Sequence, residues 1–325
     1  MKKHQAVLLL LSLVLVLFMN GCISQNSSDD SLDDVSLPSR ASKIPVNASK
    51  QNPDQDLYPP ILHAQGYNEP FPLPTPVNTA GAEDSSFILP DGNTLYFFFT
   101  PDVKVPAEQQ LFDGVTGIYV TKKYDEIWSE PERVVLQDPG KLALDGCEFV
   151  QDNIIWFCSA REGYTGVRWF TAQYENGQWS DWENADFDPA YDVGELHFST
   201  NGSELYYHSQ RAGGIGGLDI WVSQYVNNSW QEPINVEAVN TPENEGWPCL
   251  TQDGKELWFT RWYQGSPAIY RSQHINDTWL TPELILSQFA GEPSVDNDGN
   301  IYFTHHFYQD NEMIEADIYF VQKKK

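Results

Sequence analysis

Acidic residues that could do chemistry recur at a regular place along this chain. A carboxylate lies seven to nine residues before each of five turn signals. The carboxylates are Glu83 with Asp84, Asp145, Glu195, Glu245 and Glu292. Two such groups at a set separation can hydrolyse a glycosidic bond, and a cluster of them can bind a cation or hydroxyl groups. We therefore treat them as candidate site residues.

Basic residues recur on the other side of the same turns, and aromatic residues lie near them and near the acids. The basic residues are Arg161, Arg211, Arg261, His305 and His306, and the rings are Tyr164, Trp247, Trp262 and Tyr263. Rings stack on apolar faces, while carboxylates and guanidinium groups bind hydroxyls or charges. We interpret the set as one ligand-binding mouth, with Trp247, Trp262 and the three arginines as candidate contacts. The alternative is that the acids and arginines bond neighbouring strands and serve the fold.

Catalysis is the rival functional hypothesis for the same residues. A glycoside hydrolase would use Glu245 and Glu292 as its pair of carboxylates. Hydrolysis requires one protonated and one ionised group at a set separation. Because an acid recurs in every repeat, a scaffold role is the simpler interpretation, and we predict a protein that is not an enzyme.

These residues must be positioned by a repeated unit that spans residues 58–325. One copy has a strand segment from Glu195, a second from Glu204, a third from Asp219 and a closing segment at Trp230-Gln-Glu-Pro233. The turn between the first two segments recurs at Asp91-Gly92, Asp152-Asn153, Asn201-Gly202, Asp253-Gly254 and Asp298-Gly299. Four short strands per unit, at a spacing of 45 to 61 residues, are typical of β-propeller blades.

The last unit lacks its own closing strand, since the chain ends soon after Asp317–Val321. The missing element occurs at the other end, as Tyr67-Asn-Glu-Pro70 followed by Asn78-Thr79. The Asn-Thr pair lies 14 residues before Gly92, as Asn240-Thr241 lies 14 before Gly254. We predict an all-β fold: a five-bladed propeller of four-stranded antiparallel blades, closed by an N-terminal strand.

The repeats resemble the WD-like repeats of TolB-type propellers, a group that includes periplasmic and surface lipoproteins. The matching segments are Pro90-Asp-Gly92, Ser209-Gln-Arg211, Gly213-Gly-Ile-Gly-Gly217, Asp219-Ile-Trp221 and Asn240-Thr241. The resemblance implies binding of a protein or other ligand far more often than catalysis.

The N-terminal residues predict export and membrane attachment. Lys2 and Lys3 precede a 14-residue apolar run from Ala6 to Met19, as in a signal peptide. Cys22 follows Gly21, which predicts a signal peptide over 1–21 and lipidation of Cys22, with an uncleaved signal anchor as the alternative. Residues 22–57 are rich in Ser, Asp, Asn and Pro and predict a flexible tether. Both routes place the domain outside the cytoplasm, at the cell surface or in the periplasm.

The net charge of the chain limits the classes of partner that it can bind. A net charge of −27 repels phosphate backbones and excludes nucleic acid as a partner, which leaves a glycan or an envelope or surface protein.

Cys147 and Cys158 would face each other across a two-residue turn and could form a disulfide, while Cys249 is interpreted as a buried apolar residue. We expect no cofactor. Calcium is the one cation the carboxylates suggest, although no twelve-residue calcium loop is present.

Overall fold

The computed structural model describes residues 37–187 and 193–325, almost entirely as short strands and connecting loops. The predicted signal peptide and Cys22 lie outside the described residues. The helical elements are one turn of α-helix, Ala107–Gln110, and the 3₁₀ turns Arg40–Ser42 and Pro53–Gln55. Within the described ranges, no helix has the length and apolarity that a bilayer span requires.

The strands are numbered here in chain order. They are β1 Ile61–Leu62, β2 Phe71–Pro72, β3 Ala82–Ile88, β4 Thr94–Thr100, β5 Gly117–Tyr124, β6 Ile127–Trp128, β7 Glu132–Arg133, β8 Ala143–Gln151, β9 Ile154–Arg161, β10 Arg168–Glu175, β11 Gln178–Asn184, β12 Val193–Phe198, β13 Glu204–Ser209, β14 Asp219–Val226, β15 Ser229–Trp230, β16 Ile234–Asn235, β17 Glu245–Leu250, β18 Glu256–Tyr263, β19 Ser266–Ile275, β20 Thr278–Trp279, β21 Glu283–Ser287, β22 Ala290–Val295, β23 Ile301–Gln309 and β24 Glu312–Val321.

Antiparallel pairing groups these strands into units that follow the sequence. Unit 1 is β3-β4-β5-β7, unit 2 is β8-β9-β10-β11 and unit 3 is β12-β13-β14-β16. Unit 4 is β17-β18-β19-β21, and unit 5 is β22-β23-β24 with β2. The turn signals predicted from sequence, such as Asp253-Gly254, lie between the first and second strand of each unit.

The first strands contact one another in cyclic order, from β3 through β8, β12, β17 and β22 back to β3. Buried apolar clusters lie between successive units in the same order, because alternate side chains of a strand point to opposite faces. In unit 1, for example, Phe97 packs toward Tyr302 of unit 5, whereas Tyr96 packs toward Phe157 of unit 2. Four-stranded sheets arranged radially around a ring of first strands define a β-propeller.

Two strands before unit 1 join units that come later in the chain. Phe71 of β2 pairs with Phe320 of β24, and Tyr67 forms an isolated bridge with Lys323. Ile61 of β1 pairs with Ser287 of β21, at the outer edge of unit 4. The sequence analysis predicted the pairing with the last unit but not this second one.

The end of the predicted tether, residues 37–57, packs against units 1 and 5. Arg40 is buried beside Glu83, Lys50 forms ion pairs with Glu315 and Asp317, and Asp56 meets His305. These contacts lie on the N-terminal side of the boundary predicted at residues 57/58. We call residues 37–57 the strap.

Candidate functional site

A bulge interrupts the pairing of the first and second strands of each unit. The register shifts once in every such pair. At this place Ser85, Cys147, Trp247 and Glu292 have φ values of 49°, 57°, 53° and 55°. Non-glycine residues rarely adopt this left-handed backbone, so its recurrence marks a conserved geometry of the repeat rather than a local accident. Because the bulge adds a residue, acids at similar distances from the turn lie at different positions relative to the bulge residue.

The first of these positions, two residues before the bulge residue, holds Glu83, Asp145 and Glu245, all with no exposed surface. Each carboxylate meets an arginine: Arg161 Nη2 is 2.8 Å from Asp145 Oδ1, and Arg261 Nε is 2.8 Å from Glu245 Oε1. Glu83 and Glu245 also accept hydrogen bonds from the backbone N–H and hydroxyl of a threonine four residues earlier. These acids therefore present no oxygen to solvent.

The arginines of these pairs share one environment. Arg161 Cζ lies 4.4 Å from the ring centroid of Phe170, and Arg261 Cζ lies 4.6 Å from that of Tyr270. Arg161 of unit 2 donates to the backbone carbonyl of Leu136, and Arg261 of unit 4 donates to that of Val239. Cation–π and hydrogen-bond contacts thus hold each guanidinium group inside the domain.

Four other carboxylates gather at the centre of the ring, and we call them, with two histidines, the channel cluster. The cluster is Asp84, Glu148, Glu195, Glu292, His208 and His306. Sequence reasoning named Asp84, Glu195 and Glu292 but missed Glu148 and His208. Glu148 directly follows the bulge residue Cys147. The bulge sets the direction of the Glu148 side chain, and the alternation of residues along a strand does not reveal a bulge.

Backbone groups at the bulges fix the channel cluster. The Ser85 N–H donates to both Asp84 Oδ1, at 2.9 Å, and Glu292 Oε2, at 2.8 Å, and so joins units 1 and 5. His306 Nε2 lies 3.6 Å from Asp84 Oδ1. The Trp247 N–H donates to His208 Nδ1 at 3.0 Å, which leaves the His208 Nε2 proton directed at Glu195 Oε2, 3.3 Å away.

Burial and mutual repulsion split the pKa values of the cluster. Burial, followed by the charge of Asp84, raises the pKa of Glu292 well above its usual range and that of Glu195 to about 7. Burial would also raise the pKa of Asp84, but hydrogen bonding to His306 and the charge of that histidine outweigh it and lower the value. Burial lowers the pKa of His208 to about 3, so this imidazole is neutral.

The remaining predicted contacts lie around the mouth, the end of the ring where first strands begin and second strands end. Arg211 Nη1 donates to the Tyr207 hydroxyl at 3.0 Å, and Arg211 Nη2 lies 3.7 Å from Glu232 Oε2. The Trp247 ring packs on His208, with centroids 5.0 Å apart. Trp262 is half-buried near the end of β18. The structure therefore does not bring all ten predicted contacts together on one open surface.

A small cavity and a larger groove lie among the described residues of this fold. A cavity of about 70 Å³ lies between units 1 and 2 at the mouth, with Asp84 and Asp145 among apolar side chains such as Phe98 and Met313. A larger groove of about 560 Å³ is lined by Asp253, Asp296 and neighbouring polar residues. The groove lies at the turn ends of units 4 and 5, on the face opposite the predicted mouth.

Exposed apolar side chains occur in the connections around the mouth. Phe112 lies between the second and third strands of unit 1, Tyr164 and Val167 in the same connection of unit 2, and Ile215 in that of unit 3. Leu142, directly before β8, is also exposed. The mouth therefore offers apolar contact surface that the acid and arginine pairs do not supply.

Cys147 and Cys158 form a disulfide with Cα atoms 5.4 Å apart. The bulge makes Gly146, not Cys147, the register partner of Cys158, and the bulged backbone still brings the two sulfurs together. Cys249 is a buried free thiol packed against apolar residues of units 4 and 5.

No protein-family model and no curated protein matches this chain. Among solved structures it is similar to TolB from Acinetobacter baumannii, at 12% identity and a TM-score of 0.44, over 76% of this chain and 57% of that one. It is similar to an endo-arabinase from Bacteroides thetaiotaomicron, at 14% identity and a TM-score of 0.48, over 72% and 92% of the two chains. An α-L-arabinofuranosidase from Lactobacillus brevis matches at 12% identity and a TM-score of 0.47, over 73% and 90%. The chain spans little more than half the length of the TolB chain, and the assignment to the propeller class rests on the strand pairing above.

Proposed function

We propose that this chain is a non-enzymatic binding propeller of five blades, closed by its N-terminal strand and held outside the cytoplasm by a membrane anchor. The five units in cyclic contact and the pairing of β2 with β24 support the blade count and the closure. The export signal and Cys22 support the location and the anchor. The ligand is an envelope or surface protein, with a glycan as the alternative.

The exposed apolar residues of the mouth connections carry this proposal. Phe112, Tyr164 and Ile215 come from three successive units and face solvent, which suits the apolar centre of a protein interface. The charged pairs Asp145–Arg161 and Glu245–Arg261 are buried within the fold and serve it. The cavity of about 70 Å³ at the mouth is well below the roughly 300 Å³ of a small-molecule site, which favours a surface partner over a deeply bound sugar.

A cross-linking capture experiment on intact cells of the source organism tests this function. The full-length wild-type chain should cross-link to one dominant envelope protein, and Phe112→Ala with Tyr164→Ala should reduce the yield at least about tenfold, as for a lost interface anchor. Tyr225→Ala is the matched control, because this ring is also exposed but lies near the β14–β15 turn, away from the mouth. Equal capture by all variants would contradict the proposal, and binding to an isolated cell-wall glycan array would favour the glycan.

The second candidate, a glycoside hydrolase, is favoured by one observation only. Asp84 and Glu292 are neighbouring carboxylates whose pKa values are shifted in opposite directions, which is the pattern of an acid–base pair. Digestion of envelope oligosaccharides by the wild-type chain, lost in Glu292→Gln, would establish this activity. If no tested linkage is hydrolysed, the result contradicts the glycoside hydrolase function.

A further inference from the structure

Three donors of the channel cluster lie within metal-binding distance of one another. One ligand atom each from Asp84, Glu292 and His306 lies within 4.8 Å of the other two. Two donors bound to one ion at about 2.1 Å can be separated by about 4 Å, so small side-chain rotations bring all three into range. The donors belong to β3, β22 and β23, that is, to the first and last units of the ring.

A second observation concerns Glu148, which is only 7% exposed and faces the same cluster. Neither of its carboxylate oxygens has a hydrogen-bond partner in another described residue, and its charge interacts with those of Glu195 and Asp84. His306 Nδ1 is likewise buried without a partner in this part of the chain. Unpaired buried polar groups are costly and rare, so these atoms point to a ligand that the protein atoms do not provide.

The charge balance of the cluster also differs from that of the other buried acids. Asp145 and Glu245 each have an arginine within 3 Å, and Glu83 has Arg40 at 3.0 Å. Within the described residues, the four cluster carboxylates have no Lys or Arg within 4 Å, and two histidines, His208 and His306, face them.

We propose that the channel cluster binds one divalent transition cation of the Mn²⁺ to Zn²⁺ type, with Asp84, Glu292 and His306 as direct ligands and Glu148 and Glu195 balancing its charge. The imidazole nitrogen selects this class over calcium, which takes oxygen ligands. His208 is not a ligand, because its Nδ1 accepts the Trp247 N–H and its Nε2 proton faces Glu195.

Such an ion would cross-link the seam where the ring closes. Between β24 and β3 the backbone pairing consists of one parallel pair, Ala316 with Ala82. An ion held by Asp84 on one side and by Glu292 and His306 on the other would fasten this seam. The inference does not depend on the partner of the mouth, because it concerns the buried centre of the ring.

Metal analysis of the full-length chain in detergent tests the proposal. After chelation and dialysis against Zn²⁺ or Mn²⁺, the wild-type chain should retain one equivalent of ion and gain roughly 5–10 °C in Tm at saturating metal. Asp84→Asn, Glu292→Gln and His306→Gln should each lose at least about tenfold in affinity. His305→Gln is the matched control, since His305 pairs with Asp56 and should retain binding.

A spectroscopic measurement on the wild-type chain keeps the proposal falsifiable if a variant fails to fold. The bound Mn²⁺ should show the electron spin echo modulation of a directly coordinated imidazole nitrogen. Less than about a tenth of an equivalent bound, or a bound ion without nitrogen coupling, overturns the assignment. Equal loss of metal in His305→Gln and His306→Gln also overturns it.

Discussion

Arg40 Nη1 donates a 3.0 Å hydrogen bond to Oε1 of Glu83, although 43 residues separate the two in the chain. The guanidinium group also donates to the Val77 carbonyl and lies 5.4 Å from the ring centroids of both Phe97 and Tyr119. Arg161 and Arg261 have the same three kinds of contact in units 2 and 4. The second strand of unit 1, β4, contains no arginine, and Arg40 of the strap makes the contacts that Arg161 and Arg261 make in units 2 and 4.

Arg40→Met should destabilise the protein by about 3–5 kcal/mol, because it leaves the buried Glu83 without its cation. Urea unfolding followed by tryptophan fluorescence measures this loss. The double variant Arg40→Met/Glu83→Gln should recover part of it, since the uncompensated charge is then gone. Lys43→Ala, an exposed change three residues along the strap, is the control and should stay within about 0.5 kcal/mol of wild type.

A chain that begins at Tyr58 should be less stable than one that begins at Leu37, and by more than Arg40→Met alone. The shorter chain loses Lys50 and Asp56 as well, which leaves Glu315, Asp317 and His305 without their partners. Thermal unfolding of the two chains in the same buffer provides the measurement. Equal Tm values would show that the strap is a tether in solution, as the sequence analysis predicted.

Asp317→Asn should change how stability depends on pH. Burial raises the pKa of Asp317 to about 8 against the opposing charge of Lys50. An unfolded aspartate titrates near pH 4, so between about pH 4 and 8 the folded state holds a proton that the unfolded state has lost. The stabilisation that the protonated Asp317 contributes to the folded state is therefore complete below about pH 4 and is lost as the pH rises toward 8.

The stability of Asp317→Asn relative to wild type should accordingly rise from pH 4.5 to 7.5, by up to about 1.4 kcal/mol per pH unit. Urea unfolding in matched chelator-containing buffers provides the comparison. Asp253→Asn is the control, because a hydrogen bond from Lys255 lowers the pKa of this exposed acid, so it titrates below this range in both states and its difference from wild type should stay constant. A constant difference between Asp317→Asn and wild type would contradict the prediction.

Reduction of the Cys147–Cys158 disulfide should destabilise unit 2. The loop it closes spans 11 residues, for which the chain-entropy account gives about 3 kcal/mol. Wild-type Tm should fall on addition of reductant, whereas the Cys147→Ala/Cys158→Ala variant should not respond. Peptide mapping after alkylation of the unreduced, denatured chain should label Cys249 and neither Cys147 nor Cys158. Labelling at Cys147 would exclude the disulfide.

The sequence by itself determined the repeat and the architecture built from it. Turn pairs such as Asp253-Gly254 require a left-handed backbone, and Gly254 has φ +67°, so the hairpins could be placed from local chemistry alone. The pairing of the N-terminal strand with the last unit was predicted because Asn78-Thr79 lies as far before Gly92 as Asn240-Thr241 lies before Gly254. Both signals are local: a turn pair recurs in each repeat, and the Asn-Thr pair recurs at Asn240-Thr241, so the sequence alone identifies them.

The tertiary structure alone decided what the acids do. A one-residue bulge separates Glu245, neutralised by Arg261, from Glu292, which faces Asp84 in the channel cluster, although both lie at similar distances from a turn. Glu148 and the pairing of Arg40 with Glu83 were not predictable for a related reason. Side-chain direction at a bulge and contacts across 43 residues depend on how the ring closes, and no local period records that closure.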